Sequence, residues 1–184
     1  AAGADHQIGT KTLAHELPEV RVARHENRGH GPTVLRGYRE ARSEWLAQSD
    51  SDGEIAATEF PALWHRRAEH DLVLGRRTGR QQTGGRKLLS RMARALTRLA
   101  FGAGIEDVNT PCRLMRRSAI EPLLAELPPT LFAPNVALSG LAVARGLRRL
   151  EIPVRFETRR FGAGTLLSWR IARVAVRTGV EAVM

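Results

Sequence analysis

Asp50-Ser51-Asp52, with Glu54 two residues on, crowds three carboxylates into the segment that follows the short apolar run Trp45-Leu46-Ala47. Two acids one residue apart, at the end of a buried strand, can both reach one hard divalent cation. Mg²⁺ and Mn²⁺ take oxygen ligands and are typically shared with substrate phosphates. Gly53 lets the backbone turn away after the pair. In a strongly basic chain such a cluster points to a metal-bridged diphosphate. Asp-x-Asp also occurs in ordinary surface turns, so the surrounding residues have to decide between the two.

Three further positions bear on that choice. Arg77, just after an expected strand Asp71–Leu74, and Arg86, entering the next expected helix, are candidate phosphate clamps; each taken singly reads equally as a solvated surface charge. The segment between them, Thr78 to Gly85, is polar and glycine-rich, as a flap over a ligand would be. Asp107, in GIEDVNTPCRLMRR after the Gly102–Gly104 break, can orient or deprotonate an acceptor, or can serve only as a turn or cap residue. Glycosyl transfer from a nucleotide sugar asks for this set: neutralisation of a leaving diphosphate, alignment of the anomeric carbon, and control of any acceptor proton.

The elements that must position these residues alternate along the chain. Helices are expected from Thr10 to Leu17, Gly29 to Arg42, Thr58 (as cap) to Arg67, Leu88 to Phe101, Ser118 (as cap) to Glu126 and Asn135 to Arg145. Strands are expected at Val20–Ala23, Trp45–Gln48, Asp71–Leu74 ending at Gly75, Cys112–Met115 and Leu150–Phe156. Such alternation predicts an α/β domain with a mainly parallel sheet flanked by helices. In open sheets of this kind ligands bind beyond the carboxyl ends of strands, where Asp50, Asp52, Arg76 and Arg77 fall.

Size and composition narrow the classes. The 184 residues, 42% apolar, make one ordinary domain. A single cysteine, Cys112, excludes an internal disulfide and reads as a packed small apolar residue, and no Cys/His cluster has zinc-ligand spacing. No signal peptide and no apolar run of membrane-spanning length is seen, which fits a cytosolic compartment. The 29 basic against 19 acidic residues give a formal charge of +10, and every basic residue except Lys11 and Lys87 is arginine. That balance favours anionic partners, whether phosphorylated metabolites, nucleic acid or an acidic membrane face. Aromatics at 5%, not interleaved with the arginines, serve a nucleic-acid surface poorly. Residues 165–184 are expected to form an amphipathic helix. Its arginine row (Arg170, Arg173, Arg177) and Trp169 suit an anionic membrane surface, a packed C-terminal helix or a dimer contact.

Taken in order, N-x-G-x-G (Asn27, Gly29, Gly31), DSDGE (Asp50 to Glu54), G-R-R (Gly75 to Arg77), RKLLS (Arg86 to Ser90), D-V-N-T-P-C-R-L (Asp107 to Leu114) and EIPVRF (Glu151 to Phe156) resemble the family-2 glycosyltransferases. The nearest branch in pattern is the dolichol-phosphate-mannose-synthase group, which makes polyprenyl-phosphate sugars; the resemblance runs from about Val20 to Gly164. It implies a GT-A (Rossmann-like) fold over residues 1–164, inversion at the anomeric carbon, a UDP- or GDP-sugar donor and a polyprenyl phosphate acceptor. It also implies Mg²⁺ or Mn²⁺ on Asp50 and Asp52 with help from Glu54, phosphate contacts from Arg77, Arg86 and Arg159, and Asp107 near the acceptor. The enzyme would then sit peripherally at the inner face of the membrane.

The pattern departs from the family at the opening. Family members begin with an Asn-Glu strand and a D-D-G-S turn that grip base and ribose, and this chain is expected to lack that first strand. Ala4-Asp5-His6-Gln7-Ile8-Gly9-Thr10 stands in place of the turn, with Asp5 the candidate donor contact. Thr110-Pro111-Cys112 replaces the usual Ser-Gly-Phe, and no Q-x-x-R-W motif of the processive synthases is present. A lipid phosphate suits the chain chemically, because an anionic oxygen needs no strong base and none stands beside Asp107 in the sequence. The competing readings are a GT-A remnant without catalysis and a basic nucleic-acid-binding protein.

Overall fold

The computed structural model describes residues 23, 26, 28–50, 53–78 and 105–156. The expected helices at 10–17, 88–101 and 165–184, and nearly all of the expected strand at 20–23, lie outside the described residues.

Helix α1 (His30–Glu40) buries Gly31, Leu35 and Tyr38, spaced four and three apart as one face of a helix requires. Gly31 is needed for close approach, since a Cβ there would lie 2.2 Å from the carbonyl oxygen of Leu131. Strand β1 (Trp45–Gln48) coincides with its expected bounds. Thr58 does not cap the next helix. It lies inside a 3-10 turn, Ala57–Glu59, and helix α2 (Phe60–His65) starts with Pro61 in its first turn, where a missing N–H costs nothing.

Strand β2 (Leu72–Thr78) runs through Gly75 rather than ending there. The glycine serves packing: a Cβ on it would stand 2.8 Å from Cys112 Sγ and 2.9 Å from Val154 Cγ1. Arg76 and Arg77 are therefore strand residues near its carboxyl end, not loop residues beyond it.

Strand β3 (Arg113–Arg116) passes directly into helix α3 (Arg117–Glu126), so Ser118 lies inside the helix instead of capping it. The Arg117 N–H donates to the Glu44 carbonyl at 2.8 Å, which satisfies one of the first-turn donors that a cap would otherwise serve. At the other end of α3, Arg39 Nη2 donates to the carbonyls of Leu124 (3.0 Å) and Leu127 (2.6 Å), a cation placed where the helix dipole favours it. Helix α4 (Pro134–Ala144) and strand β4 (Arg149–Arg155) complete the described elements.

The sheet order is β1-β3-β2-β4. The expected parallel arrangement holds between β2 and β4, whereas β3 runs antiparallel to both β1 and β2. The described sheet is therefore mixed. With β3 reversed between them, β1 and β2 point the same way and their carboxyl ends share one edge. One face of the sheet carries Leu46, Leu72, Leu74 and Met115 against α1, α3 and α4. The other carries Val73, Leu114, Cys112 and Val154 against Leu63 of α2. Two-residue alternation along each strand produces both sets. Among the described residues no helix is long and apolar enough to cross a membrane.

Candidate active site

The cross-strand register aligns Gln48, Arg113, Leu74 and Glu151 in one row across all four strands. Three of the four are polar, and the row lies immediately beneath the loops that carry Asp50 and Asp107.

Asp50 follows β1 by two residues, half-buried, with Oδ1 at 3.4 Å from Gln48 Nε2. Gln48 is itself held by Tyr38, whose hydroxyl lies between the side-chain amides of Gln48 and Asn135 (2.9 Å to Asn135 Oδ1). With one proton, that hydroxyl donates to one amide and accepts from the other when the latter presents its NH₂ side. Burial pushes the Tyr38 pKa up to about 12, with the Arg113 charge opposing and Asp50 adding to the rise. The phenol is thus a neutral strut joining α1, β1 and α4.

Arg77 and Asp107 meet in a two-pronged ion pair. Arg77 Nε donates to Oδ2 at 2.7 Å and Nη2 to Oδ1 at 2.8 Å, while the Arg77 backbone N–H lies 3.3 Å from Oδ2. The side chains are only 20% and 17% exposed, so solvent screens the pair less than it would a surface bridge. Burial works against the Arg77 charge. The hydrogen bond and field of Asp107, together with the fields of Glu54 and Asp50, outweigh it and hold the guanidinium above its ordinary pKa. The guanidinium also lies 5.7 Å from the centroid of the Phe156 ring. Beside this pair, Arg76 Nη1 donates to Glu106 at 2.8 Å in a more exposed bridge.

The loop bearing Asp107 is fastened from three sides. The Glu151 carboxylate accepts the backbone N–H groups of Glu106 (2.7 Å) and Asp107 (2.9 Å). Thr110 Oγ1 donates to the Gly75 carbonyl at 2.6 Å and accepts from Cys112 N–H at 3.2 Å. Arg113, 0% exposed, donates to the carbonyls of Thr110 (3.0 and 2.8 Å), Val108 (3.1 Å) and Asn135 (3.4 Å). Burial pulls the Arg113 pKa below the usual arginine value; Tyr38 and Asp107 oppose that shift, and the Arg77 charge adds to it. A fully buried guanidinium stays charged here because backbone dipoles solvate it. Cys112 is buried as expected and its thiol is raised to about 11, chiefly by burial, which makes it inert.

Of the residues singled out in the sequence, Asp50, Glu54, Arg77 and Asp107 are gathered at one edge of the sheet. Asp52, Arg86, Arg159 and Asp5 lie outside the described residues. Among the described residues no three His, Cys, Asp or Glu side chains gather at metal-ligand spacing; the middle acid of the DSDGE cluster is not one of them. Asp50 and Glu54, whose charges both act on Arg77, carry hard oxygen donors, the donor chemistry that a small divalent cation takes. The sequence reading missed Tyr38, Gln48, Asn135, Arg113 and Glu151. Arg113 had a signal: in R-L-M-R it stands in phase with Met115, whose side chain faces the core.

Known proteins share both the sequence pattern and the fold. The undecaprenyl-phosphate 4-deoxy-4-formamido-L-arabinose transferase of Pseudomonas aeruginosa (strain LESB58) is 29% identical over 119 residues, covering 64% of this chain and 35% of the relative. The polyprenol monophosphomannose synthase of Mycolicibacterium smegmatis is 29% identical over 179 residues, covering 86% of this chain and 66% of that one. This chain therefore spans between about a third and two thirds of these relatives' lengths. The crystal structure of glucosyl-3-phosphoglycerate synthase from Mycobacterium tuberculosis, in complex with Mn²⁺, UDP-glucose and phosphoglyceric acid, superposes with a TM-score of 0.56 at 17% identity. It covers 90% of this chain and 59% of the other. That likeness establishes the GT-A α/β fold. The family model described as Glycosyl transferase family 2 matches residues 6–124, and the chain belongs to that family.

Proposed function

We propose that this chain carries the donor side of a metal-dependent, inverting glycosyltransferase that moves a sugar from a UDP- or GDP-sugar to a polyprenyl phosphate at the cytosolic membrane face. The observation that carries the reading is the placement of Arg77, paired with Asp107, inside the fields of Asp50 and Glu54 at the carboxyl ends of β1 and β2. A lone structural ion pair does not need two further acids beside it. A site for a diphosphate and its cation does.

Asp50 and Glu54, with Asp52, would hold a divalent cation. When bound, it supplies Lewis-acid neutralisation of the leaving diphosphate. Arg77 faces the same charge from the β2 side, and Arg86 and Arg159 are proposed to complete the phosphate contacts, with Asp5 on the donor. Asp107 orients the Arg77 guanidinium and borders the acceptor's approach. In the transfer a phosphate oxygen of the acceptor forms a bond to the anomeric carbon as the bond from that carbon to the diphosphate oxygen breaks. The electron pair leaves with the nucleoside diphosphate, and configuration inverts. The acceptor oxygen is already anionic, so no histidine base is required beside Asp107. The names of the two relatives, each a transferase or synthase of a polyprenyl-phosphate type, support the acceptor class.

The test is incubation of the full chain with radiolabelled UDP- and GDP-sugars and vesicles containing polyprenyl phosphate. Lipid-extractable label that vanishes with EDTA and returns with Mn²⁺ or Mg²⁺ is the expected result. Absence of label from every donor, with and without metal, would overturn the reading.

A further inference from the structure

We infer that Glu151 is a positioning residue for this site, acting through the backbone of residues 106 and 107 on the Arg77–Asp107 pair. The inference rests on the phosphate role proposed for Arg77. Glu151 lies in β4, next to Leu74 of β2 in the sheet register, three residues along β2 from Arg77. Its two carboxylate oxygens take one backbone N–H each from consecutive residues, Glu106 at 2.7 Å and Asp107 at 2.9 Å. Both bonds are charge-assisted and geometrically paired, so they fix the orientation of that peptide as well as its height above the sheet.

The consequence falls on the next two side chains. Glu106 reaches Arg76 at 2.8 Å and Asp107 reaches Arg77 at 2.7 and 2.8 Å. The peptide that Glu151 grips thus presents one carboxylate to each of the two consecutive arginines of β2. On its other side the loop is fixed by Arg113, which binds carbonyls where Glu151 binds N–H groups. The two opposite charges in the cross-strand row hold opposite ends of the same loop. Arg113 is fully buried and its replacement risks the fold. Glu151 is half-buried at the sheet edge, so it gives a usable handle.

Glu151→Gln is nearly isosteric but keeps a single acceptor oxygen, and its NH₂ group opposes the second backbone N–H. In the full chain it is expected to lower kcat/KM by about tenfold. Placed on an Arg77→Lys background, the same change is expected to cost less than about twofold, because the bidentate guanidinium it positions is already gone. Full additivity of the two changes would overturn the inference. A second readout needs no turnover: the Arg77 Nε–H NMR signal, held by Asp107 in the wild type, is expected to shift toward the free guanidinium position in Glu151→Gln. An unchanged Arg77 signal would also overturn it. Lack of transfer by the wild type, with the Arg77 signal still responding to Glu151→Gln, would sink the proposed function and leave the positioning role standing.

Discussion

The sheet has an arginine–aspartate pair at each end, and the two ends differ in what surrounds the pair. At the end where β2 begins, Asp71 accepts from the Arg148 backbone N–H, Nε and Nη2 at 3.1, 3.1 and 2.8 Å, and Arg116 Nε stands 3.4 Å away. Those contacts join β2, β3 and the approach to β4, and Glu44, 3.6 Å from Arg116 Nη1, balances the second arginine. At the opposite end Arg77 and Asp107 form a similar fork, but Asp50 and Glu54 also act on Arg77. The first pair closes its own electrostatics. The second has two further acids acting on its arginine, and an ion pair set among further charges at the carboxyl ends of strands marks a candidate ligand site.

That contrast is broken most severely at Asp50. Asp50→Asn keeps size and hydrogen-bonding capacity while removing one of the charges that act on Arg77, and transfer is expected to fall about 100- to 1000-fold. The thermal midpoint should move little, since Asp50 is half-buried and its side-chain contact with Gln48 is long. Steady-state rates and a melting curve on the same preparation check this; a large loss of stability with full activity would make Asp50 a structural acid like Asp71.

Arg113→Met tests whether the polar row is structural support for the site. It removes the guanidinium donor from the carbonyls of Thr110, Asn135 and Val108, the last of which keeps Ser139 Oγ at 3.0 Å, and about 2–3 kcal/mol of stability is expected to be lost in a urea titration. Asp107→Asn is milder to the fold and specific to the site: the Arg77 fork loses its charge partner. A decrease of about 30-fold in kcat/KM, roughly 2 kcal/mol, is expected. Turnover unaffected by Asp107→Asn would reduce that pair to the equal of the one at the far end.

The period-two and helical spacings made the architecture legible. β1 was placed to the residue, and β3, β4, α1, α3 and α4 to within a residue or two, because each has apolar positions in phase with one buried face. The misses share a cause in tertiary contact. Gly75 reads as a strand end because glycine usually punctuates, yet here it makes room for Cys112 and Val154 within a strand. Ser118 reads as a cap, yet the Glu44 carbonyl already receives the Arg117 N–H. The reversal of β3 is invisible locally, since strand direction depends on how the chain returns to the sheet. For the site, acids and arginines in loop-like segments were found from their chemistry. Arg113 and Glu151 escaped because their partners are backbone groups, which any sequence offers everywhere.

The smallest effect belongs to the end where β2 begins, and it depends on pH. The Arg148 hydrogen bond holds the Asp71 carboxyl below its ordinary pKa; burial opposes the shift, and the charges of Arg148 and Arg116 reinforce it. A folded-state pKa below the unfolded one means that the native chain binds fewer protons. The stabilisation is therefore fully present above the unfolded carboxylate value and is lost as pH falls through the folded one. Arg148 is 60% exposed, so solvent screening limits the cost of Asp71→Asn to about 1 kcal/mol at pH 7. Because asparagine does not titrate, the stability gap between wild type and Asp71→Asn should hold steady down to about pH 5 and shrink below about pH 4. Chemical denaturation of both proteins across that range reads the gap directly. Transfer at neutral pH should be unchanged in Asp71→Asn, since its charges are matched locally and lie at the far end of β2 from Arg77. A gap that widened in acid would reverse the sign of the linkage, and a loss of transfer would mean that the two ends of the sheet are coupled.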